Sequence, residues 1–579
     1  MKKVFNLFLA SVVLSGDFEL VTSFSISPSS VRIGTSLTKA LGKTNNVNDE
    51  ETLSKRKRIL RFVGLRGLKK GERKGSGDSK QINTCEITTA DELDNHFADT
   101  KRRFRKEGGD EIDFDDVQAA ASVRGDTQII GSSSHPDFVH PVLKLMHERR
   151  RKNSPLTPIG ESRPDGEKIA LVVEGGGMRG CVSAGMVTAI HYLGLEDTFD
   201  VIYGSSAGTI IGAYFNTRQL PWFGPEVYYD SLTTAGSEFI DKKRLLRSLG
   251  LGLLDPRLYK DVLTRRGNGK PVLSLDFLLR ETMQAKKPLD WEKFVEMQKV
   301  QPVKVVASAL KKKDSIVLSM ENGAFSTIEE LACCMQSSCL LPGIAGPLMN
   351  LNTSKLGTSD SDKFIVGNNI DEPLVEPLAD ALVFEALPYR TAINEGATNV
   401  VVLRTRPDGV DVVGKTSPFE KLIFNRFFGR KNKQLKDIKT HMRTHQHKKS
   451  YGKQVLELNE FANLVSDDGT ANVMTVAIPP GSPEVGRLET GREAIFEGVR
   501  RGFARAYDCL VEDPSERGRG HIVAKQVFPD EIMDYDPASI DGKSLAAFHC
   551  FLEEKESNGE KNSRPSFVGK TALEAKLPR

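Results

Sequence analysis

Apolar residues in the middle of this chain form short uninterrupted runs, and segments with helical spacing lie between them. Ile169 to Val173 and Val400 to Arg404 are such runs, each bounded by charged or turn residues. Runs of this length predict strands that are buried on both faces of a parallel sheet. Met186, Ile190 and Leu193 recur at a spacing that places them on one face of a helix. The alternation predicts an α/β fold, a sheet of mainly parallel strands sandwiched by helices.

The pattern is lost toward both ends of the chain. Charge runs and polar tracts replace it at the N-terminal end, where lysine and arginine cluster at 55–73. Low hydrophobicity with many charges predicts low order. We therefore expect flexible N- and C-terminal extensions around one folded domain: a low-order basic leader over 51–135, the domain over 136–511, and a mostly disordered tail over 512–579.

The first fifty residues have the composition of a targeting presequence. Lys2 and Lys3 precede an apolar run from Val4 to Leu14, which is too short to span a bilayer and is typical of a signal-peptide core. A phenylalanine and a serine-rich, acid-poor stretch follow, and together they resemble the bipartite presequences of secondary plastids. We expect a presequence over 1–50 and favour a plastid, with secretion, endomembrane residence and mitochondrial import as alternatives. No transmembrane helix is expected in the mature chain.

Composition and net charge exclude few classes of function for this chain. The chain has 579 residues and carries 81 Lys and Arg against 77 Asp and Glu, a net charge of +4, so nothing in the balance predicts a nucleic-acid partner. Its seven cysteines are odd in number and lack the spacing of metal ligands. We expect no metal, no cofactor and no disulfide framework. The basic clusters are compatible with weak attraction to an anionic lipid surface.

A glycine-rich loop, Gly175-Gly176-Gly177-Met178-Arg179-Gly180, follows the first predicted strand. Glycines let backbone amides approach a ligand without side chains in the way. We expect all six residues to form an oxyanion hole, whose amides stabilise a tetrahedral intermediate. The same spacing also matches a dinucleotide-binding fingerprint, but that motif requires an acidic residue at the end of the second strand. Here the second strand ends in Tyr203-Gly204, which disfavours a dinucleotide site.

The second predicted strand leads into Gly204-Ser205-Ser206-Ala207-Gly208. G-x-S-x-G between a strand and a helix is the setting of a nucleophile elbow. A serine that attacks an ester carbonyl stands at the apex of a tight turn, so its neighbours have to be small. The helix that starts near Ala207 directs its positive end at Ser206 and favours negative charge there. We therefore predict Ser206 as a nucleophile.

The two motifs, a downstream aspartate and a VVVLRTRP strand resemble the patatin-like phospholipase family. Ser337 to Gly343 is similar to the family's S-x-x-x-P-G segment. The resemblance covers roughly residues 168–409, which would form the core of a patatin-like catalytic domain over 136–511. It implies a serine–aspartate dyad without histidine or metal. Its substrates would be ester-linked acyl groups of phospholipids, galactolipids or acylglycerols at a membrane or lipid-droplet surface.

The resemblance assigns the aspartate of the dyad to Asp380. In the family this aspartate precedes two small residues, a proline-containing helix entry and a Glu-Gly-Ala turn. Asp380 is followed by a Leu-Pro pair and a Glu-Gly-Ala turn at matching positions, but Ala381 and Leu382 replace the two small residues. Asp371, in an apparent insertion, is the alternative.

Two other functions remain open from the sequence. A catalytically inactive patatin-like protein that binds lipid or a partner would account for Ala381 and Leu382. An ordinary Ser-Asp-His triad of an α/β-hydrolase would need a histidine from 441–447, His521 or His549, all of which lie in polar segments.

Overall fold

The structure is a computed structural model, and it describes residues 139–241, 271–341, 344–358, 361–367, 373–408, 410, 435–461, 472–479, 481–540 and 542–558. The presequence predicted for 1–50 and the basic leader predicted for 51–135 lie outside the described residues. Their boundaries remain predictions.

Within the described residues, nine strands form one mixed sheet. They are β1 (Ile169–Val173), β2 (Val201–Ser205), β3 (Val303–Ala309), β4 (Asp314–Leu318), β5 (Met349–Asn352), β6 (Phe364–Val366), β7 (Val375–Ala379), β8 (Asn399–Arg404) and β9 (Asn472–Ala477). Their order is β6-β5-β7-β3-β2-β1-β8-β9, and β4 lies off this path and pairs with β3. Strands β3, β2, β1, β8 and β9 are parallel neighbours, whereas β4, β5, β6 and β7 join by antiparallel pairs. The predicted α/β fold is confirmed.

The helices lie between and around the strands. They are α1 (Pro141–Arg151), α2 (Gly180–Tyr192), α3 (Ala207–Asn216), α4 (Phe223–Glu226), α5 (Trp291–Met297), α6 (Ile328–Cys339), α7 (Tyr389–Asn394), α8 (Lys436–Arg443), α9 (Gln446–Phe461), α10 (Arg492–Leu510), α11 (Gly520–Val527) and α12 (Ala547–Ser557). The described residues also include two π-helical segments, Val227–Leu232 and Phe277–Lys286, and several short 3₁₀ helices.

Strand β1 is apolar throughout because helices cover both faces of the sheet. Ile169, Leu171 and Val173 pack into a large cluster with residues of α1, α2, α3 and α10. Ala170 and Val172 point to the opposite face, where a second cluster includes residues of α7 and α9. The two-residue period of the strand therefore assigns alternate side chains to two cores.

Helices α2 and α10 touch through their backbones. A Cβ atom added to Gly185 would lie 1.9 Å from the carbonyl oxygen of Val499, and one added to Gly502 would lie 1.9 Å from that of Val182. Such an approach excludes any side chain at the two glycines. Because α2 follows the glycine-rich loop directly, the contact also fixes that loop relative to the segment before α10.

The expectation of a mostly disordered tail is wrong for residues 512–558. Helices α11 and α12 pack on the domain and bury Val523, Val527 and Phe548. The Glu226 carboxylate accepts hydrogen bonds from the amides at the start of α12, at 2.8 and 3.1 Å, and also pairs with Lys287. The sequence did not predict these helices because their segment is mostly polar. A few apolar residues and a buried ion pair hold them on the domain.

No helix of the described part of the chain is both long and apolar enough to cross a membrane.

Candidate active site

Ser206 lies at the sharp turn between β2 and α3. Its backbone has φ 50° and ψ −126°, a combination that costs a residue with a side chain of order 1–3 kcal/mol. Strand and helix meet so closely that larger neighbours are excluded. A Cβ atom on Gly208 would lie 2.1 Å from the carbonyl oxygen of Val173, and one on Gly204 would lie 2.5 Å from Thr209 Cα. The predicted strand–turn–helix setting of the motif is present.

The other two residues of the motif connect the turn to its surroundings. The Ser205 hydroxyl accepts a hydrogen bond from the Gly175 amide at 3.2 Å and donates one to the Ala386 carbonyl at 2.7 Å. Ala207 begins α3, so the positive end of that helix lies beside Ser206. The turn is thereby tied both to the glycine-rich loop and to the segment after Asp380.

The Ser206 hydroxyl donates a hydrogen bond to Asp380 Oδ2 at 3.1 Å. Asp380 follows β7, and its other carboxylate oxygen accepts from the Leu382 amide at 2.8 Å. Its own amide donates to the Leu340 carbonyl at 3.0 Å, just beyond the end of α6. The structure therefore brings together the serine and the aspartate that the sequence had paired. Asp371 lies outside the described residues.

Ala381 is compatible with this position. It begins a short 3₁₀ helix that Asp380 caps, and it is not among the residues with positive φ. The small residue of the family's motif is therefore not required here by the backbone conformation.

Burial raises the pKa of Asp380 to about 6, although the hydrogen bonds from Leu382 and Ser206 and the positive charge of Arg487 act in the opposite direction. A carboxylate with a pKa near neutrality is a better proton acceptor than an ordinary aspartate. The neighbouring Cys339 thiol has a raised pKa, chiefly because it is buried. It therefore stays protonated beside the serine hydroxyl.

The amides of the glycine-rich loop divide into two groups. Those of Gly175, Met178, Arg179 and Gly180 donate hydrogen bonds to protein oxygens, that of Met178 to the Arg487 carbonyl at 3.0 Å. Within the described residues, the amides of Gly176 and Gly177 donate none. Both glycines have positive φ, 144° and 61°. Of the six residues expected to form an oxyanion hole, these two retain amides that a ligand can engage.

The side chain of Arg179 is committed to the protein. It is buried, donates to Thr405 Oγ1 at 3.2 Å and forms an ion pair with Glu484. Below the loop, the buried Glu174 carboxylate accepts hydrogen bonds from Thr405 and from the Tyr451 hydroxyl. These contacts fix the glycine-rich loop to the rest of the domain. The role of Arg179 is therefore structural.

None of the histidines considered for a triad bonds to the dyad in the described part of the chain. His441 Nε2 lies 2.9 Å from the Val383 carbonyl oxygen, and burial together with nearby cations lowers the pKa of His447 to about 3. His521 and His549 contact the Gly518 carbonyl and Glu553. The direct hydrogen bond between Ser206 and Asp380 leaves no place for an intervening imidazole. Equally, no cluster of three or more His, Cys, Asp or Glu side chains among the described residues is arranged to hold a metal ion.

Ser338 is a site residue to which the sequence assigned no role. Its hydroxyl accepts a hydrogen bond from the Ser206 amide at 2.7 Å and donates one to the Val306 carbonyl. It thereby links the elbow to the end of α6 and to β3. The sequence pointed to Ser338 only through its place in the Ser337-to-Gly343 segment. Nothing in the local pattern indicated that its hydroxyl would bond to the Ser206 amide.

Comparison with known proteins identifies a family for part of the chain. Residues 171–348 match the family model described as patatin-like phospholipase. No curated protein matches the chain. Among solved structures, the chain is similar to VipD from Legionella pneumophila, with 13% identity, 73% of this chain and 84% of that chain covered, and a TM-score of 0.28.

Proposed function

Residues 171–348 form a patatin-like phospholipase domain, and on this premise we propose that the protein is a lipid acyl hydrolase with a Ser206–Asp380 dyad. Its substrates are ester-linked acyl groups of phospholipids, galactolipids or acylglycerols, met at the surface of a membrane or lipid droplet. The observation that carries the proposal is the hydrogen bond from Ser206 Oγ to Asp380 Oδ2, 3.1 Å long.

In the proposed first step, Ser206 Oγ attacks the acyl carbonyl carbon while Asp380 accepts the hydroxyl proton. The new oxyanion is stabilised by the amides of Gly176 and Gly177 and by the N-terminus of α3. Asp380 then returns the proton to the departing alcohol, which leaves an acyl group on Ser206. In the second step Asp380 takes a proton from water, and the resulting hydroxide attacks the acyl carbonyl. The bond to Ser206 Oγ then breaks, Asp380 returns the proton to that oxygen, and the fatty acid is released.

The experiment is a set of substitutions in the purified protein, assayed on a soluble ester and on phospholipid. We expect Ser206→Ala and Asp380→Asn each to lower kcat by about 10³–10⁴-fold or more, and the double variant to be scarcely worse, because the pair acts as a unit. Asp371→Asn is the matched control and should change kcat less than about twofold, as expected of a residue outside the chemistry.

Labelling with a fluorophosphonate separates the proposal from an inactive lipid-binding protein. The wild type should be labelled and Ser206→Ala should not. Full activity of a folded Asp380→Asn variant, or equal loss with Asp371→Asn, would reject the dyad.

A further inference from the structure

The segment between β9 and α10 contacts the glycine-rich loop through Arg487. The Arg487 carbonyl accepts the hydrogen bond from the Met178 amide at 3.0 Å. A Cβ atom on Gly177 would lie 2.7 Å from that carbonyl oxygen and 3.8 Å from Arg487 Cβ. The Arg487 side chain therefore starts beside one of the two loop amides that have no protein partner.

Several contacts fix this segment to the loop. Glu484 forms ion pairs with both Arg179, inside the loop, and Arg406, after β8. Val485 is buried, and a Cβ atom on Gly498 of α10 would lie 3.0 Å from its Cγ2. The backbone contact between α2 and α10 holds the following helix. Arg487 is thus presented by a rigid support, as selective ligand recognition requires.

The Arg487 side chain differs from the other arginines around the site. Arg179 and Arg406 share Glu484, and Arg404 pairs with the buried Asp408. Arg487 is exposed, and its guanidinium makes no ion pair or hydrogen bond with any described residue. Although the side chain has exposed surface, the surrounding protein partly desolvates its guanidinium. Burial, followed by repulsion from Arg179 and Arg406, lowers the pKa of Arg487 to about 10, while Asp380 acts in the opposite direction without forming an ion pair. The guanidinium therefore stays charged at neutral pH. A cation in this position is free to engage a negative group of a ligand.

A lysine also lies in the neighbourhood of Arg487. The buried His447 side chain, at the start of α9, is within electrostatic range of both Arg487 and Lys448, and its lowered pKa leaves it neutral. Positive charge beside an acyl-transfer site favours a substrate that carries a negative group close to its ester.

We propose that Arg487 binds the phosphate of a glycerophospholipid while an acyl ester of the same molecule occupies Ser206. This assignment rests on the proposed function and deepens it, because galactolipids and acylglycerols have no phosphate. A guanidinium can hold two phosphate oxygens at once, which gives orientation as well as affinity. The phosphate lies only a few bonds from the ester carbonyls, so one molecule reaches both sites.

The test compares Arg487→Gln with wild type on three esters with the same acyl chain. These are phosphatidylcholine and diacylglycerol, each in mixed micelles of a non-ionic detergent, and a soluble nitrophenyl ester. We expect kcat/KM for phosphatidylcholine to fall about 10–100-fold, the range for loss of a charge-assisted hydrogen bond. The values for diacylglycerol and the soluble ester should change less than about threefold, because neither has a phosphate.

Arg443→Gln is the matched control for general attraction to lipid, because Arg443 is an exposed arginine at the end of α8. It should leave the preference for phosphatidylcholine unchanged. An equal loss with Arg443→Gln would overturn the proposal in favour of non-specific surface attraction. Equal loss of all three activities in Arg487→Gln would also overturn it, since Arg487 would then act through Asp380.

Inorganic phosphate distinguishes the head group from a free ion. A head-group site predicts that phosphate competes weakly with phosphatidylcholine and leaves turnover of the soluble ester unchanged. Phosphate-dependent turnover of the soluble ester, with no loss of lipid preference in Arg487→Gln, would assign the residue to free phosphate and reject the proposal. Absence of activity of the wild type on every ester would instead reject the proposed function itself.

Discussion

Ser206 and Asp380 lie one hydrogen bond apart, yet the chain holds them in place by different means. The position of Ser206 depends on crowding, with φ 50° at the serine and a Gly208 that leaves no room for a Cβ atom against Val173. The position of Asp380 depends on backbone hydrogen bonds, one to the Leu340 carbonyl and one from the Leu382 amide. Close packing at Ser206 requires glycine or another small residue at defined positions. The hydrogen bonds at Asp380 need only backbone amides and carbonyls, and any residue except proline supplies both.

This difference determines what a sequence can reveal. The elbow needs small residues at fixed places, so it leaves the G-x-S-x-G pattern in the chain. The aspartate needs only a capped turn, so Ala381 and Leu382 can replace the small pair without moving it. Separate substitutions at the glycines of the elbow and at the residues around Asp380 therefore test whether the two regions differ in this way.

The largest effect is expected from Gly208→Ala. The new Cβ atom would lie 2.1 Å from a carbonyl oxygen at the end of the central strand β1, and neither backbone can yield cheaply. We expect a loss of more than about 3 kcal/mol in the free energy of unfolding, beyond the usual cost of overpacking. Thermal unfolding and soluble yield would show it.

Ala381→Gly is the matched change beside the aspartate. It removes one buried methyl group and adds backbone freedom, so we expect a loss of about 1–2 kcal/mol and activity within about threefold of wild type. A Gly208→Ala variant as stable as Ala381→Gly would contradict the distinction between the two regions.

The next effect concerns the charge of Asp380. Its pKa in the folded protein is about 6, above the value of about 3.9 in an unfolded chain. The folded state therefore binds the proton more tightly, and stability falls as the pH rises from about 4 to about 6. Two pKa units correspond to about 3 kcal/mol. We expect Asp380→Asn to be about 2–3 kcal/mol more stable than wild type at pH 8 and equally stable below pH 4.

Chemical denaturation at several pH values measures this difference. Ser206→Ala is the control, because it retains the carboxylate and should keep the wild-type dependence on pH. If Asp380→Asn gained no stability at pH 8, burial of the charged Asp380 carboxylate would not destabilise the folded protein, and the raised pKa would be contradicted.

The smallest effect is expected from Ser338→Ala, which removes the acceptor of the Ser206 amide. A buried donor without a partner costs about 1–3 kcal/mol, and the displaced serine should lower kcat about 10-fold with little change in KM. Ser337→Ala is the matched control, since among the described residues that hydroxyl donates only to the Cys333 carbonyl within α6. Equal kinetics of the two variants would show that Ser338 does not position Ser206.

The sequence was most informative where side chains are restricted by close packing. It predicted the buried strands β1 and β8, the turn at Ser206 and the glycines beside it. It did not reveal which loop amides stay available, because that depends on Arg487, which lies more than three hundred residues away. It also missed α11 and α12, whose docking depends on Glu226, Lys287 and a few apolar residues in a polar segment. Contacts between distant segments leave no local pattern to detect.

The glycine contact between α2 and α10 also bears on how the substrate range of such a protein can evolve. The glycine-rich loop precedes one helix and the Arg487 segment precedes the other, so any side chain at Gly185 or Gly502 would move the two apart. Selection for a new lipid in the laboratory should therefore leave both glycines unchanged. We expect it to accumulate substitutions at 486–490 instead, where head-group preference can change while the distance to the glycine-rich loop is preserved.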